Sequence, residues 1–232
     1  MLILALETSG PTASVALMKE GELLVEYAMH HTRTHSETVL PMAERAMREM
    51  QIAPSMLDAI AVNKGPGSFT GVRIGICTGN AMASALHIPL YGVDSLRALY
   101  QNACCDSGSV CAMIDARNHS AYMALFKDGE QIGEACACDV EEYIAKLPPD
   151  VLFIGDGAAA YRPGIEANVK GARFAAASFS LSKASALCEI AYGLSRSGDE
   201  GASMVEPLYM RPSQAERMFQ LRKEQEGKEH GA

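Results

Sequence analysis

Short apolar runs separated by turn sequences open the chain. The runs LILALE, ASVALM and LLVEYAM are joined by SGPT and KEGE. Apolar runs of this length with glycine, proline and charged residues between them are typical of β-strands linked by tight hairpins. The sequence therefore predicts three antiparallel strands, at 2–7, 13–18 and 23–29.

Helical spacing replaces this pattern from about Ser36, a residue suited to the N-cap. Apolar residues then recur at intervals that place them on one face of a helix predicted over 36–50. The strand DAIAV, the loop KGPGSFTG, a second helix over 71–86 and a strand at about 90–93 follow. This alternation of strands and helices predicts an α/β fold.

The opening hairpin pattern returns in the second half of the chain. A gapless alignment places Glu7 on Asp115 and Gly21 on Gly129, with two alanines, a leucine and a lysine matched between them. Two short hairpins can match by chance, but in both copies a further strand and helices follow. We therefore expect two lobes of one topology.

The division between the lobes is expected at DSGS, near Asp106 to Ser109, where the pattern breaks. The second copy continues to a helix over SKASALCEIAYGLSRSG, and a charged segment ends the chain. The predicted organisation is a first lobe over 1–106, a second lobe over 107–211 and a charged C-terminal helix and tail over 212–232.

Composition limits the compartment and the partners. The formal net charge of −8 argues against a protein that grips nucleic acid alone, because such proteins carry a basic surface that neutralises phosphates. The opening apolar run is far shorter than the roughly 20 residues of a membrane span and Glu7 interrupts it, so we expect a cytoplasmic protein without membrane contact.

The cysteine pattern favours reduced thiols. The chain has seven cysteines and no C-x-x-C spacing, which supports neither a disulfide framework nor a zinc site. Cys136 and Cys138 lie two positions apart on a predicted strand and so share one face, where we expect them to be core residues.

The loop KGPGSFTGVR lies between a strand and a helix, where phosphate-binding loops occur. It lacks the lysine that a P-loop carries after its last glycine, and Thr70 stands where a dinucleotide fingerprint has a glycine. Weak phosphate contact through Ser68, Thr70 and the helix start is still physically reasonable.

A stripe of small residues follows this loop. Gly71, Gly75, Gly79 and Ala83 recur every four residues and line one face of the second helix. An interior glycine costs about 0.8–1 kcal/mol relative to alanine, so we expect a compensating close approach of another backbone. The stripe either packs against the 36–50 helix or forms a subunit interface, and the two are compatible.

The segments ILALETSGPTASVAL, GPGSFTGVRIG, IDARNHSAY and EPLYMR resemble the TsaB family, also called YeaZ, of tRNA threonylcarbamoyladenosine biosynthesis proteins. The resemblance runs over nearly the whole chain. It implies the α/β fold of the actin, hexokinase and heat-shock ATPase superfamily (ASKHA), with two ribonuclease-H-like lobes.

The resemblance also implies a non-catalytic subunit that is required to form N6-threonylcarbamoyladenosine (t6A) in tRNA. Proteins of this family bind and activate the paralogue TsaD, a metal-dependent threonylcarbamoyl transferase, together with the ATPase TsaE, and they form homodimers when alone. On this basis tRNA is bound only through the complex. No cofactor is expected in the chain itself, and any ATP or ADP is expected at the partner interface.

The two helices of the first lobe are the implied partner surface. The residues assigned to this interface are Gly71, Arg73, Gly75, Gly79, Met82 and Ala83 on the second helix and Val39, Ala43 and Met47 on the first. Arg73 has the alternative role of an ordinary exposed helix arginine.

Two other functions remain open. An ATP-dependent kinase or a peptidase-like enzyme of the same fold would use acids at the strand ends, where Glu7 and Asp115 lie, but the second hairpin turn reads ARNH and offers no glycine-rich phosphate loop. A direct RNA-binding module would need clustered basic and aromatic residues, which the sequence lacks.

His31 and His35 have the spacing of the transferase's metal ligands but precede the first helix, so we read them as surface or capping residues.

Overall fold

Two sheets with one strand order form the framework of the molecule. A computed structural model describes residues 1–30, 34–103 and 108–211. The strands are β1 (Leu2–Glu7), β2 (Thr12–Lys19), β3 (Glu22–His30), β4 (Ala59–Gly65), β5 (Leu90–Asp94), β6 (Val110–Asp115), β7 (Ser120–Lys127), β8 (Glu130–Asp139), β9 (Leu152–Ile154) and β10 (Arg173–Phe174). The orders are β3-β2-β1-β4-β5 and β10-β9-β6-β7-β8. Taken in the opposite direction, the second order is β8-β7-β6-β9-β10, which repeats the first strand for strand. The duplicated topology predicted from the sequence is therefore confirmed.

Helices cover both faces of each sheet. They are α1 (His35–Glu49), α2 (Phe69–Leu86), α3 (Ser95–Gln101), α4 (Val140–Ile144), α5 (Asp156–Ala160), α6 (Arg162–Asn168) and α7 (Ala184–Arg196), and a short 3-10 turn lies at Pro54–Met56. The N-cap of α1 is Thr34 rather than the predicted Ser36. The backbone N–H of Thr34 donates to Glu37 Oε2 at 3.4 Å, which is half of a capping box.

The strand register corrects the repeat alignment by one position. Ser14 pairs with Glu7 in the first hairpin, but the residue aligned with Ser14, Tyr122, pairs with Ile114. By strand pairing, Glu7 therefore corresponds to Ile114, and Asp115 lies one position later. Because side chains alternate between the faces of a strand, the two acids lie on non-equivalent faces of their sheets.

One helix from each half of the chain packs on the sheet of the other half. The faces of α1 and α2 share a core with β1 and β2, and the opposite face of that first sheet is covered by α7. In return, α3 packs on the second sheet through Leu96 and Leu99. The predicted second lobe, 107–211, is thus too long, because α7 carries its apolar face, including Leu187 and Cys188, to the first sheet.

A segment after α7, which we call the C-terminal strap (residues 199–211), also returns to the first lobe. Ala202 pairs with Leu90 at the edge of β5, with N–H to oxygen distances of 2.9 Å in both directions. Further along, Leu208 donates its N–H to the carbonyl oxygen of Lys64 at 2.7 Å. The strap therefore protects an edge strand that would otherwise present free backbone groups.

Cys136 and Cys138 on β8 are joined by a disulfide. This corrects the expectation of reduced thiols, whereas the expected packing is present: both side chains are half-buried and pack against the core of the second sheet. The pair arises because alternate residues of a strand point to the same side.

Two further expectations concern the C-terminal segment and contact with a membrane. The predicted helix and tail at 212–232 lie outside the described residues. Among the helices that the structure describes, none has both the length and the apolar character to cross a membrane.

Candidate functional site

The small-residue stripe of α2 faces the sheet beneath it. Gly71, Gly75 and Gly79 are buried, and a Cβ at these positions would overlap the carbonyl oxygen of Thr8, the Thr8 hydroxyl and a Val62 methyl group, respectively. The Thr8 hydroxyl also donates to the Gly71 carbonyl oxygen at 2.7 Å. The close backbone approach expected from the glycines is present, but it joins α2 to its own sheet.

The other small and apolar residues assigned to the partner interface lie in the same core. The buried residues of this set are Val39, Ala43, Met47, Gly71, Gly75, Gly79 and Ala83. Assigning them to a partner surface was therefore wrong, because amphipathic helices turn their apolar face toward the sheet that they cover. Of the assigned residues, only Arg73 is exposed, and Met82 is partly buried.

The opposite, outward side of the two helices is accessible. On α2 we define the outer face by its exposed residues Thr70, Arg73, Cys77, Ala81, Ser84 and Ala85. Arg73 is the single charged residue in the whole of α2. On the neighbouring α1, Leu40 is 51% exposed. A solvent-facing helix side is ordinarily rich in charge, so the small-residue, nearly uncharged outer face of α2 is unusual for a surface that contacts only water.

Arg73 is held in place by the C-terminal strap. Its guanidinium carbon lies 4.2 Å from the centroid of the Phe69 ring, and its Nε donates to the Tyr209 hydroxyl at 2.6 Å. The Phe69 and Tyr209 rings stack with centroids 4.2 Å apart. Cation–π and stacking contacts of this kind fix the one charge of the outer face at the N-terminal end of α2.

Sequence reasoning missed this stack. Tyr209 belongs to the EPLYMR segment that marks the family resemblance, but a separation of 136 residues hides its contact with Arg73. Gly65 marks a second close contact between the strap and the first lobe. Its φ is +103°, and a Cβ there would lie 2.7 Å from the carbonyl oxygen of Leu208 in the strap.

A cleft of about 850 Å³ separates the lobes. Its lining includes Ser9, Gly10, Ser68 and Thr70 from the first lobe and Asp115 and Arg117 from the second. The residues considered for weak phosphate contact, Ser68 and Thr70, do face this cleft. Ser68 is the N-cap of α2, and its Oγ accepts the Gly71 N–H at 3.2 Å.

Glu7 is a fully buried carboxylate and is absent from the lining of this cleft. Its Oε1 accepts the Ser9 N–H at 2.6 Å, and its Oε2 accepts from Asn63 Nδ2 at 2.5 Å and from Ser182 Oγ at 2.6 Å. These three donors come from the turn after β1, from β4 and from the segment before α7. The carboxylate therefore joins two parts of the first lobe to the segment that leads into α7.

Asp115 lies at the cleft but is also engaged by its own turn. Its Oδ1 accepts the Arg117 N–H at 2.8 Å and the Tyr161 hydroxyl at 3.0 Å. Arg117, Asn118 and His119 all have positive φ, between 53° and 62°. The turn is closed by Ala116 N–H donating to Ser120 O at 3.0 Å and Ser120 N–H donating to Arg117 O at 3.2 Å. These three backbone N–H groups, of Ala116, Arg117 and Ser120, are thus bonded within the turn rather than directed at a phosphate.

The histidines considered as metal ligands do not form a ligand set in the part of the chain that the structure describes. His35 begins α1 and its Nε2 lies 2.8 Å from the Gly10 carbonyl oxygen. His31 lies outside the described residues. Within residues 1–30, 34–103 and 108–211, histidine, cysteine and carboxylate side chains form no group of three that could hold a metal ion.

Comparison with known proteins connects this architecture to tRNA modification. The family model described as TsaD, tRNA N6-adenosine threonylcarbamoyltransferase, matches residues 28–219. The tRNA threonylcarbamoyladenosine biosynthesis protein TsaB of Bacillus subtilis is 34% identical over 173 residues, which cover 72% of this chain and 76% of that protein. The chain belongs to the TsaB family.

Solved structures agree with this membership. YeaZ from Pseudomonas aeruginosa superposes with a TM-score of 0.77 at 30% identity, over 90% of this chain and 99% of that one. A ROK hexokinase from Thermus thermophilus superposes with a TM-score of 0.51 at 13% identity, over 85% and 100% of the two chains. At that identity the hexokinase shows the fold alone, and that fold is the actin and hexokinase type expected for the TsaB family.

Proposed function

We propose that this protein is a non-catalytic subunit of t6A formation, which binds and activates a TsaD-like threonylcarbamoyl transferase together with a TsaE-like ATPase. Family membership supplies the pathway. The observation that carries the partner role is the outer face of α2, where one charged residue, Arg73, stands among small uncharged side chains. Removing such a face from water costs little desolvation of charge.

The occupant of this face is a TsaD-like paralogue. The family model of the transferase matches most of this chain, which supports a common fold for the two proteins. A two-fold homodimer uses the same patch on both copies, so a paralogue of the same fold can replace one copy while keeping the arrangement. We therefore expect a homodimer when the protein is alone and a heterodimer when the transferase is present.

The geometry of the two acids supports a subunit that leaves the chemistry to its partner. Glu7 is enclosed by three hydrogen-bond donors away from the cleft, and Asp115 is engaged by Arg117 and Tyr161. They are also non-equivalent by strand register. This arrangement does not fit the paired acids and open phosphate loops that the kinase alternative needs.

The expected contacts with tRNA and nucleotide, and the compartment, follow from this assignment. A net charge of −8 disfavours direct tRNA binding, so tRNA contacts the complex through the transferase. ATP or ADP, where present, binds at the partner interface. The compartment in which tRNAs are modified in bacteria is the cytoplasm, and we assign the protein to it.

A pair of matched substitutions tests the partner surface. Ala81→Arg places a charge in the middle of the outer face, and Ala160→Arg places the same charge on an exposed position of α5 in the second lobe. Sedimentation of each variant with the TsaD-like paralogue should show at least about a tenfold weaker complex for Ala81→Arg, because burying an unpaired charge costs more than the ~1.4 kcal/mol that a tenfold change represents. Ala160→Arg should bind as the wild type does.

Three results would oppose the proposal. The first is the absence of association between the wild-type protein and the paralogue, with or without nucleotide and the ATPase. The second is equal binding by both variants, which would move the partner surface elsewhere. The third is ATP hydrolysis by the isolated protein that Asp115→Ala abolishes, which would restore the kinase alternative.

A further inference from the structure

Cys136 and Cys138 are close enough for their sulfur atoms to form and break a disulfide with each other. The two residues flank Ala137 on β8, the edge strand of the second sheet, and their Cα atoms lie 5.6 Å apart. This separation falls within the range of about 4.4–6.8 Å that disulfides require. Both side chains are half-buried, so small molecules in solvent can reach the pair.

The other described cysteines do not combine solvent access with a nearby second thiol. Cys111 and Cys188 are buried, and burial raises the pKa of both thiols, which suppresses the reactive thiolate. Cys77 is exposed on α2 but has no second cysteine joined to it. Among the described residues, the pair on β8 is therefore the set that combines access with a partner thiol.

We propose that Cys136 and Cys138 form a reversible thiol–disulfide site whose co-substrates are low-molecular-weight disulfides and dithiols. One cysteine thiolate attacks a sulfur of glutathione disulfide, forming a mixed disulfide and releasing one glutathione thiolate. The second cysteine thiolate then attacks the protein sulfur of the mixed disulfide and releases the second glutathione thiolate. Two protein thiols are oxidised, one glutathione disulfide is reduced, and the two protons pass to the two glutathiones.

The pair lies beside the end of the C-terminal strap. Ala137, between the two cysteines, has its carbonyl oxygen 3.4 Å from Arg211 Nη2, at the end of the C-terminal strap. The disulfide closes a small ring that includes the backbone of Ala137. The proposed site therefore lies where the strap, after crossing the first lobe, reaches the second.

Peptide mapping of the full-length protein tests the proposal. Trypsin cleavage after Lys127 and Lys146 releases residues 128–146, which contain Cys136 and Cys138 and no other cysteine. The folded protein is equilibrated with glutathione disulfide, alkylated with iodoacetamide without reduction, and digested. We expect this peptide to carry no alkyl group and to be two hydrogens lighter than the dithiol form. After equilibration of the folded protein with dithiothreitol, it should carry two alkyl groups.

Substitutions make the test specific. Cys138→Ser should leave Cys136 as a mixed disulfide with one glutathione, because the second thiol that resolves it is gone. Cys77→Ser, the control, should leave the 128–146 result unchanged.

Three observations would overturn the proposal. The wild-type peptide could carry two alkyl groups, or two glutathiones, after treatment with glutathione disulfide. The pair could be joined to cysteines of other peptides. The disulfide could also resist dithiothreitol until the protein is unfolded, which would make it a permanent bond. These outcomes are independent of the partner proposal, because none depends on the transferase.

Discussion

At the scale of single residues, Glu7 has a structural part in the first lobe. Glu7→Ala would leave three donors, from Ser9, Asn63 and Ser182, without their acceptor in a buried site. Unpaired buried donors cost about 1–3 kcal/mol each before relaxation, so we expect a loss of about 2–4 kcal/mol in the free energy of unfolding. Urea unfolding followed by circular dichroism measures it.

Asp115→Ala is the comparison, because Asp115 is more accessible and has fewer partners from distant elements. We expect it to lower the free energy of unfolding by about 1 kcal/mol. Equal stability of Glu7→Ala and the wild type, combined with a loss of t6A formation in the reconstituted complex, would instead give Glu7 a functional role.

The glycines of α2 make a second prediction at this scale. Gly79→Ala adds a methyl group that overlaps Val62 and lies 3.3 Å from Leu90 Cδ1. We expect destabilisation of about 1–3 kcal/mol, the usual effect of overpacking, although alanine is the better helix former. The measurement is again urea unfolding.

Gly193→Ala on α7 is a matched control, because a Cβ at Gly193 would meet nothing within 4 Å. Helix propensity then acts alone, and we expect stabilisation by up to about 1 kcal/mol. If both substitutions stabilise the protein, α2 does not pack on its sheet as closely as described.

At the scale of elements, the C-terminal strap is held to α2 by aromatic contacts. Tyr209→Ala removes the stack on Phe69 and the hydrogen bond from Arg73, whereas Tyr209→Phe removes only the hydrogen bond. We expect Tyr209→Ala to lose about 1–2 kcal/mol of stability and Tyr209→Phe about half of that or less, because stacking is worth about 0.5–1.5 kcal/mol beyond burial. Thermal unfolding of the two variants separates the contributions, and equal losses would mean that the ring contributes nothing.

Elements were also the scale at which the sequence was most informative. The apolar runs between turn sequences predicted the hairpins, the helical spacing predicted the helices close to their observed positions, and the repeat predicted the second sheet. The side on which α2 packs could not be predicted, because small residues allow close approach either to a sheet or to another subunit. The strap stack was equally hidden, since nothing in the local sequence near Arg73 indicates contact with Tyr209.

At the scale of the whole molecule, the lobes depend on each other for their cores. α7 supplies Leu187 to the first sheet and α3 supplies Leu96 to the second, and the two helices contact each other through Gln101 and Glu189 at 2.8 Å. This exchange could not be predicted from the sequence, because an amphipathic helix does not specify which of two similar sheets it covers. The shared helices make independent folding of either lobe unfavourable, since each would expose an uncovered apolar face.

We therefore expect the full-length protein to unfold in one transition, with circular dichroism and tyrosine fluorescence giving coincident curves in urea. Leu187→Ala and Leu96→Ala should each lower the stability by about 2–5 kcal/mol, as large-to-small core substitutions do. Because α7 and α3 belong to opposite sheets, the two variants report on different lobes, yet each should shift the whole transition to lower urea without dividing it. A variant with two separate transitions, one of them at the wild-type position, would show that the lobes are stable independently and that the helix exchange does not couple them.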